Sequence, residues 1–269
     1  MRKVYGTISL LIGAMLLAGC SSSPTGRSQL LMYSANDMAQ LGGQSFAQLK
    51  QSTPINRNAA TNRYVQCVAK AVVAQVPESY GYQSDSWEVV VFDSKDVNAF
   101  ALPGGKIGVY SGLLGVAKNQ DQLATVIGHE LSHVLAQHSN ERMSRQSLAD
   151  MGMNVASVAL GQTAYGSSAM AALGVGVQVG VLLPFNRGQE SEADVIGLEL
   201  MAKAGFDPRE SVALWQNMSA ASGGKNPPAL LSTHPSDSSR MATLNELQPQ
   251  MIPLMERAHA AGLKPKCKI

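Results

Sequence analysis

The run Gly128-His129-Glu130-Leu131-Ser132-His133 constrains this chain more than any other feature. Imidazoles four residues apart lie one turn apart on one face of an α-helix, so both can reach a single ion. Glu130 projects about 100° round from His129, close enough to act on a water beside that ion without binding the ion itself. H-E-x-x-H on a helix is therefore a metal-binding pattern with a built-in base. The flanks agree with a helix. Asn119 followed by Gln122 reads as its start, and Leu123, Val126, Ile127, Leu131, Val134 and Leu135 form an apolar stripe. The two histidines fall about 120° from the centre of that stripe. The helix is expected to be buried on one side and to present His129 and His133 at the edge of a cleft.

His138 is half a turn out of phase with His129 and falls on the apolar side. The metzincin pattern would need a glycine at 136 and a histidine at 139, where this chain has Ala136 and Ser139, so that class is excluded. His138 is expected to be a hydrogen-bonded core or helix-end histidine.

A catalytic zinc wants three protein ligands and one open position, and two histidines with a glutamate are a known set. Asn186 with Gln189 marks a second helix start, and Gly205 with Pro208 marks its end. Between them Glu190, Ala193, Asp194, Gly197, Met201 and Ala204 share one face, whose small residues would allow close approach to another helix. Glu192 and Glu199 point the other way and read as solvated charges. Phase thus makes Glu190 the third ligand. Asp194, one turn on, is placed to accept the free N–H of a ligand histidine, His129. The bland alternative is an amphipathic helix with ordinary surface acids.

Elsewhere the pattern is mainly α with a small β-sheet. Helices are expected over 34–51 and 56–75, then strands at Trp87 to Phe92, Val97 to Leu102 and Lys106 to Tyr110, the last two flanking a Pro103-Gly104-Gly105 turn. From Ser111 onward the chain reads as helical. Residues 151–186 carry one charge-free stretch. It reads as a Gly/Ala-rich helical segment packed on the protein or lining its cleft, with a membrane-touching segment as the alternative.

Residues 1–19 read as a signal peptide: a basic start, an apolar run too short to span a bilayer, then Leu17-Ala18-Gly19-Cys20. That ending resembles a bacterial lipobox, which implies lipidation at Cys20 and, with Ser21 next, an outer-membrane anchor facing the periplasm. Residues 20–33 are then a lipidated tether, flexible over 21–29, and 34–269 a single domain. Without Arg2 and Lys3 the 21 basic residues fall level with the 19 acidic ones. Nothing argues for nucleic acid. Cys67 and Cys267 are left as partners for one disulfide, the alternative being two free thiols.

His129 and His133 with Glu190-x-x-x-Asp194 some 57 residues later resemble the zinc metallopeptidase family of HtpX, the CAAX prenyl protease and mitochondrial Oma-type proteases. Asn98-Ala99-Phe100-Ala101-Leu102-Pro103-Gly104-Gly105 with Val109-Tyr110-Ser111-Gly112 is similar to that family's strand and turn. Ser232-Thr233-His234-Pro235 with Arg240 is similar to its C-terminal motif. The resemblance implies a gluzincin-type zincin fold, one zinc ion per chain, and Glu130 as general base. It implies His234 and Arg240 as candidates for oxyanion support, or His234 as a fourth donor that holds the enzyme off. The strand from Val97 to Leu102 becomes an edge for an extended substrate, with Asn98, Ala99 and Phe100 beside it. A lipoprotein branch of this family implies quality control of unfolded or misassembled envelope proteins. The rival reading is a non-proteolytic zinc-binding chaperone or scaffold lipoprotein of the envelope, which would not need Glu130.

Overall fold

The computed structural model describes residues 20–159, 185–221, 228–234 and 238–269. Residues 1–19, expected to be a signal peptide, and most of the charge-free stretch, 160–184, lie outside those residues. Among the described residues no helix is long and apolar enough to cross a membrane.

A two-stranded antiparallel ribbon comes first, β1 (Cys20–Ser22) and β2 (Ser28–Leu30). Helices α1 (Ala35–Ser52) and α2 (Ala59–Val73) follow, the first started by a capping box between Ser34 and Asp37. Strands β3 (Glu88–Phe92), β4 (Ala99–Leu102) and β5 (Lys106–Tyr110) form one sheet in the order β3-β5-β4. β5 runs parallel to β3 and antiparallel to β4, leaving β4 at an edge. The remaining elements are helical: α3 (Gln120–Leu135), α4 (His138–Ala159), α5 (Arg187–Lys203), α6 (Glu210–Ala221), α7 (Ala229–Thr233) and α8 (Ser238–Ala260). The fold is mainly helical with small sheets, as expected for a zincin-type domain.

Strand alternation sorts the sheet's faces. Phe92, Phe100, Leu102 and Tyr110 turn toward Phe46 of α1 in an aromatic cluster, and the Phe100 ring lies where a Cβ on Gly108 would sit. Val91, Ala99, Ala101, Ile107 and Val109 face the main core with α2 and α3. Every residue of α3 from Gln122 to Leu135 is buried. This corrects the picture of a helix half open to a cleft: β4, α2, α5 and α6 enclose it.

The crossing of α3 and α5 is tight. A Cβ on Gly128 would come within 2.7 Å of the Gly197 carbonyl, and one on Gly197 within 2.8 Å of the His129 nitrogen. Two glycines therefore let one backbone touch the other directly behind His129. Cys67 of α2 is bonded to Cys267, 200 residues away. Gln120, the first residue of α3, accepts from the Cys267 N–H and donates to the Pro265 carbonyl. The tail is thereby fixed to the start of the helix that carries the histidines, and such a cross-link typically stabilises by about 2–4 kcal/mol.

Candidate metal centre

Asn119 caps α3 through the Gln122 N–H, and Asn186 and Gln189 form a capping box at the start of α5. These caps, together with the glycine crossing, set the phase of both helices. His129 and His133 from α3, Glu190 from α5 and His234 at the end of α7 converge, each buried, with one ligand atom apiece lying within 4.8 Å of the others. α7 is hung on the start of the sheet edge, since the Leu230 N–H donates to the Val97 carbonyl.

The donor set suits a cation. His129 Nε2 lies 3.1 Å from His133 Nε2, 3.2 Å from His234 Nδ1 and 3.4 Å from Glu190 Oε2. A ring nitrogen carries one proton or one lone pair and can satisfy one such neighbour, not three. A divalent ion among three imidazoles and a carboxylate resolves that crowding.

Glu130 is buried beside this group, its Oε1 3.4 Å from His234 Nε2. Burial raises the Glu130 carboxyl above the usual range, against the lowering effect of His234, His129 and Arg240. A carboxylate lifted this way is a better proton acceptor at neutral pH. Glu190 is held well below the usual range: burial opposes ionisation, and His234 and His129 outweigh it. Burial, then the charges of His129 and His234, depress His133 strongly. For His129, burial and Arg240 push downward, yet Glu190 and Asp194 carry it up to about 9.

Asp194 Oδ1 lies 3.0 Å from His129 Nδ1. Arg240 reaches the same carboxylate twice, Nε to Oδ2 and one terminal nitrogen to Oδ1, each at 2.6 Å, and its other terminal nitrogen stands 2.7 Å from Glu190 Oε2. The guanidinium also stacks over Trp215 at 3.7 Å. Arg240 thus holds Asp194 and Glu190 in place.

Two further expectations change. Glu192 is not a solvated charge: it is buried and bonded to His138, Thr25 and Arg27. The segment 21–29 is not a loose tether, because its ribbon lies against α4 and α5 and covers the face of α5 taken as exposed. Of the residues expected along the substrate edge, Phe100 turns its side chain into the aromatic cluster. Ala99 is buried too, and Asn98 accepts from the Ala99 N–H next to it.

Two aromatic residues went unread in the sequence. Phe185 stacks on His133 with ring centroids 3.7 Å apart, and Trp215 meets His129 edge-on at 6.0 Å. The position of Phe185 directly before the helix cap Asn186 was the available signal, since an apolar residue there commonly packs back on the first turn. A groove lined by Ser23, Gln29, Tyr80, Tyr82 and Pro103 leads to His133.

Comparison with known proteins agrees with this geometry. The model of "Peptidase family M48" matches residues 59–248. The chain is 37% identical over 191 residues to mitochondrial metalloendopeptidase OMA1 of Schizosaccharomyces pombe, covering 71% of this chain and 54% of that protein. It is 31% identical over 252 residues to the OMA1 metalloendopeptidase of Bos taurus, covering 90% of this chain and 48% of that one. With the beta-barrel assembly-enhancing protease of Escherichia coli it shares 26% identity over 259 residues, 92% of this chain and 52% of that one. The chain thus spans about half the length of these relatives. The expected placement at a bacterial outer membrane, facing the periplasm, is overturned here: relatives more similar than the E. coli protein are mitochondrial by name, from fungi, plants and animals. With well over half its length matched, the chain belongs to peptidase family M48.

Proposed function

We propose that the protein is a zinc-dependent metalloendopeptidase that cleaves peptide bonds of misfolded or misassembled proteins. The observation that carries the reading is the buried quartet His129, His133, Glu190 and His234 with the raised carboxyl of Glu130 beside it. The names of the relatives, metalloendopeptidases and an assembly-enhancing protease, support protein substrates. His129, His133 and Glu190 would hold the ion. What zinc supplies when bound is Lewis acidity for the hydrolytic water and the scissile carbonyl.

The chain's own residues do the rest. Glu130 takes a proton from the attacking water and passes it to the leaving amine. Asp194, held by Arg240, keeps the Nδ1 proton on His129 and leaves Nε2 free for the ion. His234 acts as the fourth donor of a resting state and must swing off for substrate to enter. The Tyr110 N–H donates to the Asn98 carbonyl, so the ladder pairs 98 with 110, 100 with 108 and 102 with 106. The Ala99 N–H is taken by the Asn98 side chain, which leaves the Ala99 carbonyl and the backbone groups of Ala101 facing outward from β4, where an extended substrate could pair. Attachment to a membrane through lipid on Cys20 is part of this reading, and mass spectrometry of the mature N-terminal peptide tests it.

Glu130→Gln should retain zinc and lose casein cleavage by at least about a hundredfold, the scale of a lost general base. Cleavage at the wild-type rate would sink the assignment. His234→Ala should raise activity if the resting-state role is right.

A further inference from the structure

His138 is buried, sits at the start of α4, and has no part in the chemistry above. Its two ring nitrogens nevertheless link a proposed metal ligand to a carboxylate. His133 Nδ1 lies 2.8 Å from His138 Nδ1, and His138 Nε2 lies 3.1 Å from Glu192 Oε2. The protons along this line follow from the two ends. Glu192 receives donors from Thr25 and Arg27 and is ion-paired with that guanidinium, so its oxygens accept and His138 carries its proton on Nε2. Its Nδ1 is then an acceptor, and the partner atom, His133 Nδ1, must be the donor. That leaves the His133 Nε2 lone pair bare, and Nε2 is the atom that faces His129 and Glu190.

Glu192 is itself fixed by the N-terminal ribbon. Thr25 donates its hydroxyl and its backbone N–H to Oε1, and Arg27 donates Nε to Oε2. Arg27 also forms a bidentate pair with Glu141 of α4 at 2.7 Å, and Gln29 donates to the Ala136 carbonyl just past α3. Phe185 stacks on the His133 ring and limits its tilt, but a stacked ring cannot choose a tautomer.

We propose that His138 is a positioning residue for His133, setting its tautomer and ring orientation for the ion through Glu192, which the ribbon between Thr25 and Arg27 holds in place. The inference rests on His129, His133 and Glu190 binding the metal. It predicts that His138 matters for metal affinity beyond any effect on folding. A satisfied core histidine would contribute only to stability.

The test titrates metal-free protein with Zn²⁺ in competition with a chelator and records the visible spectrum with Co²⁺, alongside the melting temperature of the metal-free form. His138→Leu removes the acceptor and should weaken Zn²⁺ binding about ten- to a hundredfold and shift the Co²⁺ bands. His138→Gln carries its amide out to the level of Nε2, where it meets Glu192 but offers no acceptor at the Nδ1 position, and should resemble the leucine variant. His138→Asn puts its Oδ1 where Nδ1 stands, keeps the acceptor for the His133 N–H and should recover most of the affinity, so the Gln and Asn pair decides the matter even if the leucine variant does not fold. Equal Zn²⁺ affinity in the Gln and Asn variants would overturn the inference, as would unchanged affinity in His138→Leu. His133→Ala separates the two readings: if it binds Zn²⁺ as tightly as wild type, the metal-centre reading itself fails, independently of His138.

Discussion

His129 leans on charge supplied by helices that follow it, whereas His133 leans on a neutral ring tied to the start of the chain. Behind His129 stand Asp194 and Arg240, both buried, with the guanidinium clamped between two carboxylates and an indole face. Behind His133 stand His138 and Glu192, and the last member of that series, Arg27, keeps about a quarter of its side chain in solvent. A buried ion pair of the first kind is costly to break, because each charge left alone remains desolvated. The second support ends at the surface, where water can replace a lost contact. The glycine crossing locks α3 to α5 behind His129, while His133 lies one turn further, toward the helix end where the ribbon and α4 pack. One proposed ligand is therefore held by the core and the other by a peripheral clamp.

The largest expected effect breaks the first support. Arg240→Ala leaves Asp194 and Glu190 buried without their shared cation and should cost about 3–5 kcal/mol in denaturant unfolding. Lysine should not rescue it, since one ammonium cannot reproduce the forked contact. A loss below about 1 kcal/mol, the scale of a surface pair, would show that this support is no more rigid than the ribbon. Asp194→Asn is gentler. Its amide oxygen can still accept from His129, but its nitrogen meets Arg240 donor to donor. Zn²⁺ affinity should fall about ten- to a hundredfold, matching His138→Leu if the two ligands contribute alike. A loss much greater than that of the His138 variant would mark His129 as the dominant anchor.

Local signals in the sequence carried far. The caps Asn119 and Asn186, the turn at Pro103 to Gly105, the strand from Lys106 to Tyr110, and the small residues facing Glu190 follow from propensity and period. Helical phase, together with the family resemblance, singled out His129, His133, Glu190 and Asp194, which stand together in the structure. Phase misjudged Glu192 because it assumes one buried face, and α5 is covered on both. What covers the second face is a ribbon of three-residue strands, too short to show any alternation, in a Ser-, Pro- and Gly-bearing stretch that reads as a loop. Its order comes from long-range pairs such as Arg27 with Glu141, which no local pattern announces. The neighbours of Phe100 went unread for a related reason. Alternation says that Phe100 faces away from Ala99 and Ala101, but not that Phe46, Phe92 and Tyr110 wait on that side.

The smallest effect separates the ribbon's own contacts from those of the ligand it serves. Glu141 is surrounded by Arg27, Gln29, Gln189 and Arg145; burial works against its charge, and the bonds from Arg27 and Gln189 overcome this and lower its carboxyl below the ordinary 4.5. A depressed carboxyl contributes stability that is complete above the unfolded value and lost as pH falls through the folded one. Docking of the ribbon should therefore be constant from neutral pH down to about 4.5 and weaken below it, by about 1 kcal/mol given the partial exposure of Arg27. Hydrogen exchange at residues 23–29, followed across that range, reads it directly. Protection that already declines near pH 6.5, the ordinary range of histidine, would mean that His138 and not Glu141 governs docking, and the clamp would then answer to the ligand side instead of holding it.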